Sequence, residues 1–179
     1  MQGLIPQGMD RKDINQPRKP DYWHPPPQDF LKFNIDGASK GNPGLAGFGG
    51  VLRDNNGSIL IIFHFHLGEA TNNMAELMAL EQCLDFLKQD NLHNIIIEAD
   101  FEMIINSVKR ICGGTEPEKV SSRWRLIQFF QRIQFHLLDL RTVSFTHVRR
   151  MANKLADILA NQGVACTKNI VKIIWREIP

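Results

Sequence analysis

Asp36, Glu76, Asp100 and Asp157 each occupy a local sequence that places a carboxylate where chemistry could use it. Asp36 closes the apolar run LKFNID and opens the glycine-rich GASKGNPG. Glu76 lies just inside a helix announced by TNNMAEL, Asp100 ends the apolar strand IIIEAD, and Asp157 follows His147 by ten residues in HVRRMANKLAD. Each acid alone has an ordinary structural explanation. Asp36-Gly37 suits a turn, and Glu76 stands at capping-box spacing from Asn73. Asp100 could N-cap the next helix, and Asp157 could be a solvated helical charge.

Their combination says more. Asp36 and Asp100 end strands that can be neighbours, Glu76 begins the helix crossing between them, and Asp157 shares a helix face with Asn153 and Lys154. Carboxylates crowded into a partly buried cleft do not all stay ionised without cations. Hard, oxygen-preferring Mg²⁺ is the natural partner, and such a cluster can hold two ions roughly 4 Å apart for in-line attack at phosphate. His147, read as ending a strand and opening a loop, adds a proton carrier whose pKa range suits shuttling. Asn42, Asn72 and Asn73 lie at glycine-rich or helix-start positions where side chains and backbone N–H groups meet polar ligands such as an RNA 2′-hydroxyl. His64 and His66 share a strand face but lack a third nitrogen or sulfur ligand, and read as surface residues. KGNPG is not a phosphate loop, because no GK[ST] follows.

The elements that must position these residues are legible in outline. LKFNID, AGFGGVLRD and SILIIFHFHL, joined by turn residues, form an antiparallel meander. A helical period follows through Leu77, Leu80, Leu84 and Leu87, then the buried strand IIIEAD. A second helix stops at Cys112-Gly113-Gly114, and TEPEKV reads as a loop. Ser122 can cap a third helix carrying Trp124, Ile127, Phe130 and Ile133. RTVSFTH is the last strand, and a closing helix spans Met151 to Gln162. The order βββαβααβα is an α/β sheet of mixed direction.

The chain has 179 residues, room for one domain with a real core. Residues 1–29, rich in proline, read as an extended leader, with Trp23 the exception that has reason to dock on the domain. The domain spans 30–163. Residues 164–179 are a C-terminal tail that either packs back or belongs to a following segment. A net charge of +2 leans only weakly toward polyanions. Cys83, Cys112 and Cys166 suggest neither a zinc site nor a disulfide framework, which fits a reducing compartment. With no signal h-region and no membrane-length apolar run, the expectation is a soluble, intracellular protein, nuclear or cytoplasmic, acting as a monomer.

FNIDGASKGNPGLAGFGG, TNNMAELMAL, IIIEAD and HVRRMANKLADILA, in that order, resemble type 1 ribonuclease H over roughly Phe30 to Gly163. The lead-in WHPPPQDFLKFNIDGA is similar to plant ribonuclease H-like domains, found alone or at the C-terminal end of non-LTR retrotransposon reverse transcriptases. The resemblance implies a ribonuclease H-like fold with a five-stranded mixed sheet, order 3-2-1-4-5, flanked by helices. It implies Mg²⁺-dependent endonucleolytic cutting of the RNA strand of an RNA–DNA hybrid, with Mn²⁺ as a substitute, and a fused or recruited reverse transcriptase as partner. By motif position, Asp36, Glu76, Asp100 and Asp157 become metal ligands and His147 the loop histidine. Gly37, Asn42, Asn72 and Asn73 become contacts to the hybrid. Two departures stand out: Phe101 where the family often has serine, and ICGGTEPEKVSSR in place of a basic, tryptophan-rich handle. Lys109, Arg110, Arg123 and Arg125 partly replace that handle, so weak, salt-sensitive binding is expected. A catalytically silent nucleic-acid- or protein-binding module of the same fold is the alternative.

Overall fold

The computed structural model describes residues 22–121, 123–140 and 142–173. The leader up to residue 21, the cap expected at Ser122 and the chain beyond residue 173 lie outside the described residues. Three antiparallel strands open the domain: β1 (Leu31–Gly41), β2 (Gly44–Arg53) and β3 (Ile59–Ala70). Then follow α1 (Asn72–Gln89), β4 (Ile95–Ala99), α2 (Glu102–Cys112), α3 (Pro117–Val120), α4 (Trp124–Asp139), β5 (Val143–His147), α5 (Lys154–Ala165) and β6 (Ile170–Ile173). β4 lies parallel to β1, and β5 parallel to β4.

The sheet has six strands in the order β5-β4-β1-β2-β3-β6. The expected five-strand order is embedded in it, and the correction is β6, which pairs antiparallel with β3 from Ile61–Ile173 to His64–Ile170. Part of the tail therefore packs back. The short β-branched run IVKI covers donors and acceptors that β3 would otherwise present at an open edge.

β1 governs what lies on either side of the sheet. Side chains alternate along a strand, and Phe33 and Ile35 enter the main core, where Phe33 stacks on Phe86 of α1 at 6.5 Å between ring centroids. Lys32, Asn34 and Asp36 lie on the other face. All three are buried: Asn34 bonds Asn153 at the start of α5, and Lys32 is held by the His24 carbonyl and Glu98. α5 sits close because Gly47 and Gly163 meet without side chains; a Cβ on Gly47 would lie 2.3 Å from the Gly163 carbonyl carbon.

Three details, one of a strand and two of helices, correct the sequence reading. β1 runs on through the glycine-rich stretch to Gly41, so Asp36 sits mid-strand, opposite Gly49. Part of TEPEKV forms α3, with Pro117 at its first position, where a fixed φ favours a helix start. On α4 the buried stripe is Leu126, Phe129, Phe130 and Ile133, while Trp124 is 63% exposed. A strict three-residue spacing drifts about 60° per step, which carries Trp124 to the face opposite Ile133. α4 is tied to α1 by the Lys88–Asp139 pair at 2.9 Å and by Arg132 on Glu81.

Candidate active site

Three of the four acids converge. β1 and β4 are parallel neighbours in register Asn34–Glu98, which brings Asp36 and Asp100 side by side two residues further on. Glu76 arrives from the first turn of α1. Thr71 caps that helix, its hydroxyl accepting the Met74 N–H at 3.3 Å, so Glu76 does not serve as the far half of a capping box. One carboxylate oxygen from each of Asp36, Glu76 and Asp100 lies within 4.8 Å of the other two. Asp36 and Glu76 are each only 5% exposed.

The approach of α1 to β1 depends on Gly37. It is buried, and its N–H donates to the Glu76 carboxylate. Gly37, expected to contact substrate, lines the same cavity as the acids, with its amide turned toward Glu76.

Burial and mutual repulsion hold protons on this cluster. The Asp36 carboxyl is pushed up to about 8, first by burial and then by Asp100, with a hydrogen bond to Asp100 and the field of Asp157 adding to the effect. Glu76 is raised well above the usual carboxylate range by burial, then by Asp36 and Asp100; the Gly37 amide and Arg150 oppose this. Three oxygen donors with no nitrogen or sulfur among them match a hard divalent cation. A cation of that kind would remove the cost of ionising carboxylates this close together. The residues present fit the group.

Asp157 does not join the triad at ligand distance. It stands across the same cavity of about 300 Å³, where Arg150 Nη2 donates to its Oδ1 at 2.6 Å and Asn161 Nδ2 approaches the same oxygen at 3.4 Å. The four-acid cluster expected from sequence is thus a triad plus a rim acid held by a guanidinium. Asp157 takes the neighbouring guanidinium, while burial raises Asp36 and Glu76 toward their protonated forms. Arg150, within HVRRMAN, is the residue that sequence reasoning missed. Its exposed arginine pair, three residues beyond His147, was the available signal.

His147 ends β5 paired with Ala99. A carbonyl only accepts, so its Nε2–H donates to the Asp100 backbone oxygen at 3.0 Å, while Nδ1 lies 3.4 Å from Glu102 Oε1. As expected, His147 ends a strand where a loop begins, and its imidazole braces the backbone of the third acid. Phe101, partly buried, packs against the main core and borders the acid cavity.

The three asparagines form a wall shared between two cavities. The Asn42 Oδ1 accepts the Asn72 N–H at 3.2 Å, joining the β1–β2 turn to the start of α1. Asn72 borders the acid cavity, whereas Asn42 and Asn73 border a second one of about 510 Å³. That cavity also meets Thr71, Arg123, Trp124 and Arg125, a basic and aromatic lining. His64 is buried, not a surface residue, and His66 bonds the Gly163 carbonyl through Nδ1 at 2.9 Å. Cys83, Cys112 and Cys166 are free thiols, and among the described residues no helix is long and apolar enough to cross a membrane.

The reverse transcriptase-like family matches residues 34–163. A putative ribonuclease H protein of Arabidopsis thaliana is 36% identical over 139 residues, which are 78% of this chain and 21% of that protein, so the chain spans about a fifth of it. The ribonuclease HI of Halobacterium salinarum is 30% identical over 90% of this chain and 75% of its own. Its crystal structure superposes with a TM-score of 0.65, covering 75% of this chain and 97% of the other. LC11-RNase H1, solved in complex with an RNA/DNA hybrid, is 30% identical with a TM-score of 0.64, covering 75% of this chain and 96% of its own. A mixed sheet with flanking helices and carboxylates meeting at neighbouring strands define the ribonuclease H fold. The chain belongs to the reverse transcriptase-like family and, by its relatives, to type 1 ribonuclease H.

Proposed function

We propose that this chain is an endoribonuclease that hydrolyses the RNA strand of RNA–DNA hybrids. The observation that carries the reading is the Asp36–Glu76–Asp100 triad, two of whose acids are buried too deeply to ionise together without a cation. Asp36, Glu76 and Asp100 hold the cation site, and Asp157 completes it from the rim, leaving Arg150 to meet the phosphate backbone. Two Mg²⁺ ions, with Mn²⁺ as a substitute, would when bound there supply Lewis acidity and offset charge at the scissile phosphate. Water adds to phosphorus and the P–O3′ bond breaks, leaving a 3′-hydroxyl and a 5′-phosphate. His147 fixes the Asp100 backbone and offers Nδ1 for proton transfer at the edge of the site.

The asparagine wall and the Arg123–Trp124–Arg125 groove suit a backbone carrying phosphate and 2′-hydroxyl groups. With so few basic residues there, binding is weak, and its salt slope is shallow because that slope scales with the number of phosphates neutralised. A reverse transcriptase, fused or recruited, would supply the remaining grip, as in a domain derived from a plant retroelement. The test presents labelled RNA–DNA hybrid, double-stranded RNA, double-stranded DNA and single-stranded RNA side by side. Cutting confined to the RNA of the hybrid supports the reading. Binding of hybrid with no cutting in Mg²⁺ or Mn²⁺ would make the chain a silent binding module.

A further inference from the structure

The segment ahead of β1 is built into the domain, not laid over it. The Trp23 ring lies over Arg53, with the guanidinium carbon 4.5 Å from the ring centroid and Lys32 Nζ at 5.8 Å. Trp23 also borders the β2–β3 turn: a Cβ on Gly57 would lie 3.6 Å from its ring. Lys32 Nζ donates to the His24 carbonyl at 2.8 Å and pairs with Glu98 at 2.7 Å, in a buried position. Pro26 is buried, and the Asn94 side chain donates to the Asp29 carbonyl at 3.2 Å, closing the strap onto β1.

From Arg53 the contacts run inward to the acids. Arg53 Nη1 donates to Asn34 Oδ1 at 3.4 Å. Asn34 Nδ2 donates to Glu98 at 3.0 Å and to Asn153 Oδ1 at 3.3 Å. Asn153 Nδ2 donates to the Ile35 carbonyl at 2.8 Å. Ile35 precedes Asp36, and Asn153 begins the helix that carries Asp157 one turn later. The relay therefore ends on the backbone of one acid and on the helix start of another.

A guanidinium stacked on an aromatic face keeps its planar fork aimed, whereas an unstacked one rotates into water. We propose that Trp23 is a positioning residue: by stacking on Arg53 it fixes the Asn34–Asn153 bridge and so sets α5, with Asp157, against the β1 acid. This rests on reading the acid cluster as the hybrid-cleaving site. Trp23 Nε1 is buried with no hydrogen bond among the described residues, so the ring face and not the N–H carries the contact.

The test uses the full chain with Trp23→Ala, Trp23→Phe and Arg53→Lys. It reads amide hydrogen exchange at Asn153 and Asp157 together with kcat and KM for hybrid cleavage. For Trp23→Ala, exchange at these amides is expected to quicken roughly tenfold and kcat to fall roughly tenfold with KM unchanged. Trp23→Phe restores both, and Arg53→Lys reproduces the loss. Unchanged exchange at Asn153 and Asp157 overturns the proposal. So does an equal acceleration over the whole chain, which would mark lost global stability alone, or a KM effect with kcat intact, which would make the strap a substrate contact. If the wild-type chain cuts no hybrid, the activity reading fails, and exchange still decides the strap.

Discussion

Gly37 and Glu76 touch through backbone: a Cβ built on Gly37 would lie 2.2 Å from the Glu76 nitrogen. The glycine therefore sets how far α1 can advance toward β1, and with it the distance from Glu76 to Asp36. Gly37→Ala is expected to push the helix outward and destabilise the fold by about 1–3 kcal/mol, the usual cost of forcing volume into a packed site. Urea unfolding measures this, and an unchanged midpoint would show that α1 has slack.

The triad also sets a pH dependence. Asp36 and Glu76 both have folded pKa values above their unfolded ones. The folded chain then binds more protons than the unfolded chain, so stability is fully present at low pH and is lost as pH rises from about 4 through about 8. Each proton of difference is worth about 1.4 kcal/mol per pH unit. Unfolding in EDTA is expected to become easier across that window, with Asp36→Asn flattening the slope and stabilising the chain at pH 8. A wild-type slope of the opposite sign, unaltered in Asp36→Asn, would contradict the buried triad.

Asn153 makes two buried hydrogen bonds, to the Ile35 carbonyl and to Asn34. Asn153→Ala leaves both partners buried without it, and a loss of about 2–4 kcal/mol is expected, since each stranded group costs its full desolvation. Denaturant titration checks this. A loss below about 0.5 kcal/mol, the level of an ordinary surface change, would mean the bridge is replaceable.

His147→Ala removes the donor to the Asp100 carbonyl and the Nδ1 acceptor at once. Turnover is expected to slow by roughly 10²-fold without vanishing, the scale of general acid–base assistance. Single-turnover cleavage measures it, and an unchanged rate would leave the imidazole only a brace.

Much of the site was legible because local sequence carries it. Asp100 follows a five-residue apolar strand, and Thr71-Asn72-Asn73 announces the helix that presents Glu76, so both acids are positioned by signals a few residues long. What sequence could not give depends on tertiary partners. The polar face of β1 reads as solvent-facing, yet Lys32, Asn34 and Asp36 on it are all buried. β6 belongs to the sheet only because β3 has an edge to fill, and His64 is buried in the strand it pairs with. Of the glycines after Asp36, Gly37 serves close packing, so β1 runs on to Gly41 and the turn comes only at Asn42-Pro43. The Arg150–Asp157 pair lies across a cavity and has no local periodicity to betray it.

The central claim is that the Asp36–Glu76–Asp100 triad cuts RNA paired to DNA with a divalent cation. Its most direct test is cleavage of a strand-labelled hybrid in Mg²⁺ and in EDTA, with Asp36→Asn beside the wild-type chain. The account predicts cutting of the RNA strand alone, only in Mg²⁺, and lost in Asp36→Asn while hybrid binding persists. Equal cutting by Asp36→Asn, or cutting that survives EDTA, would contradict it.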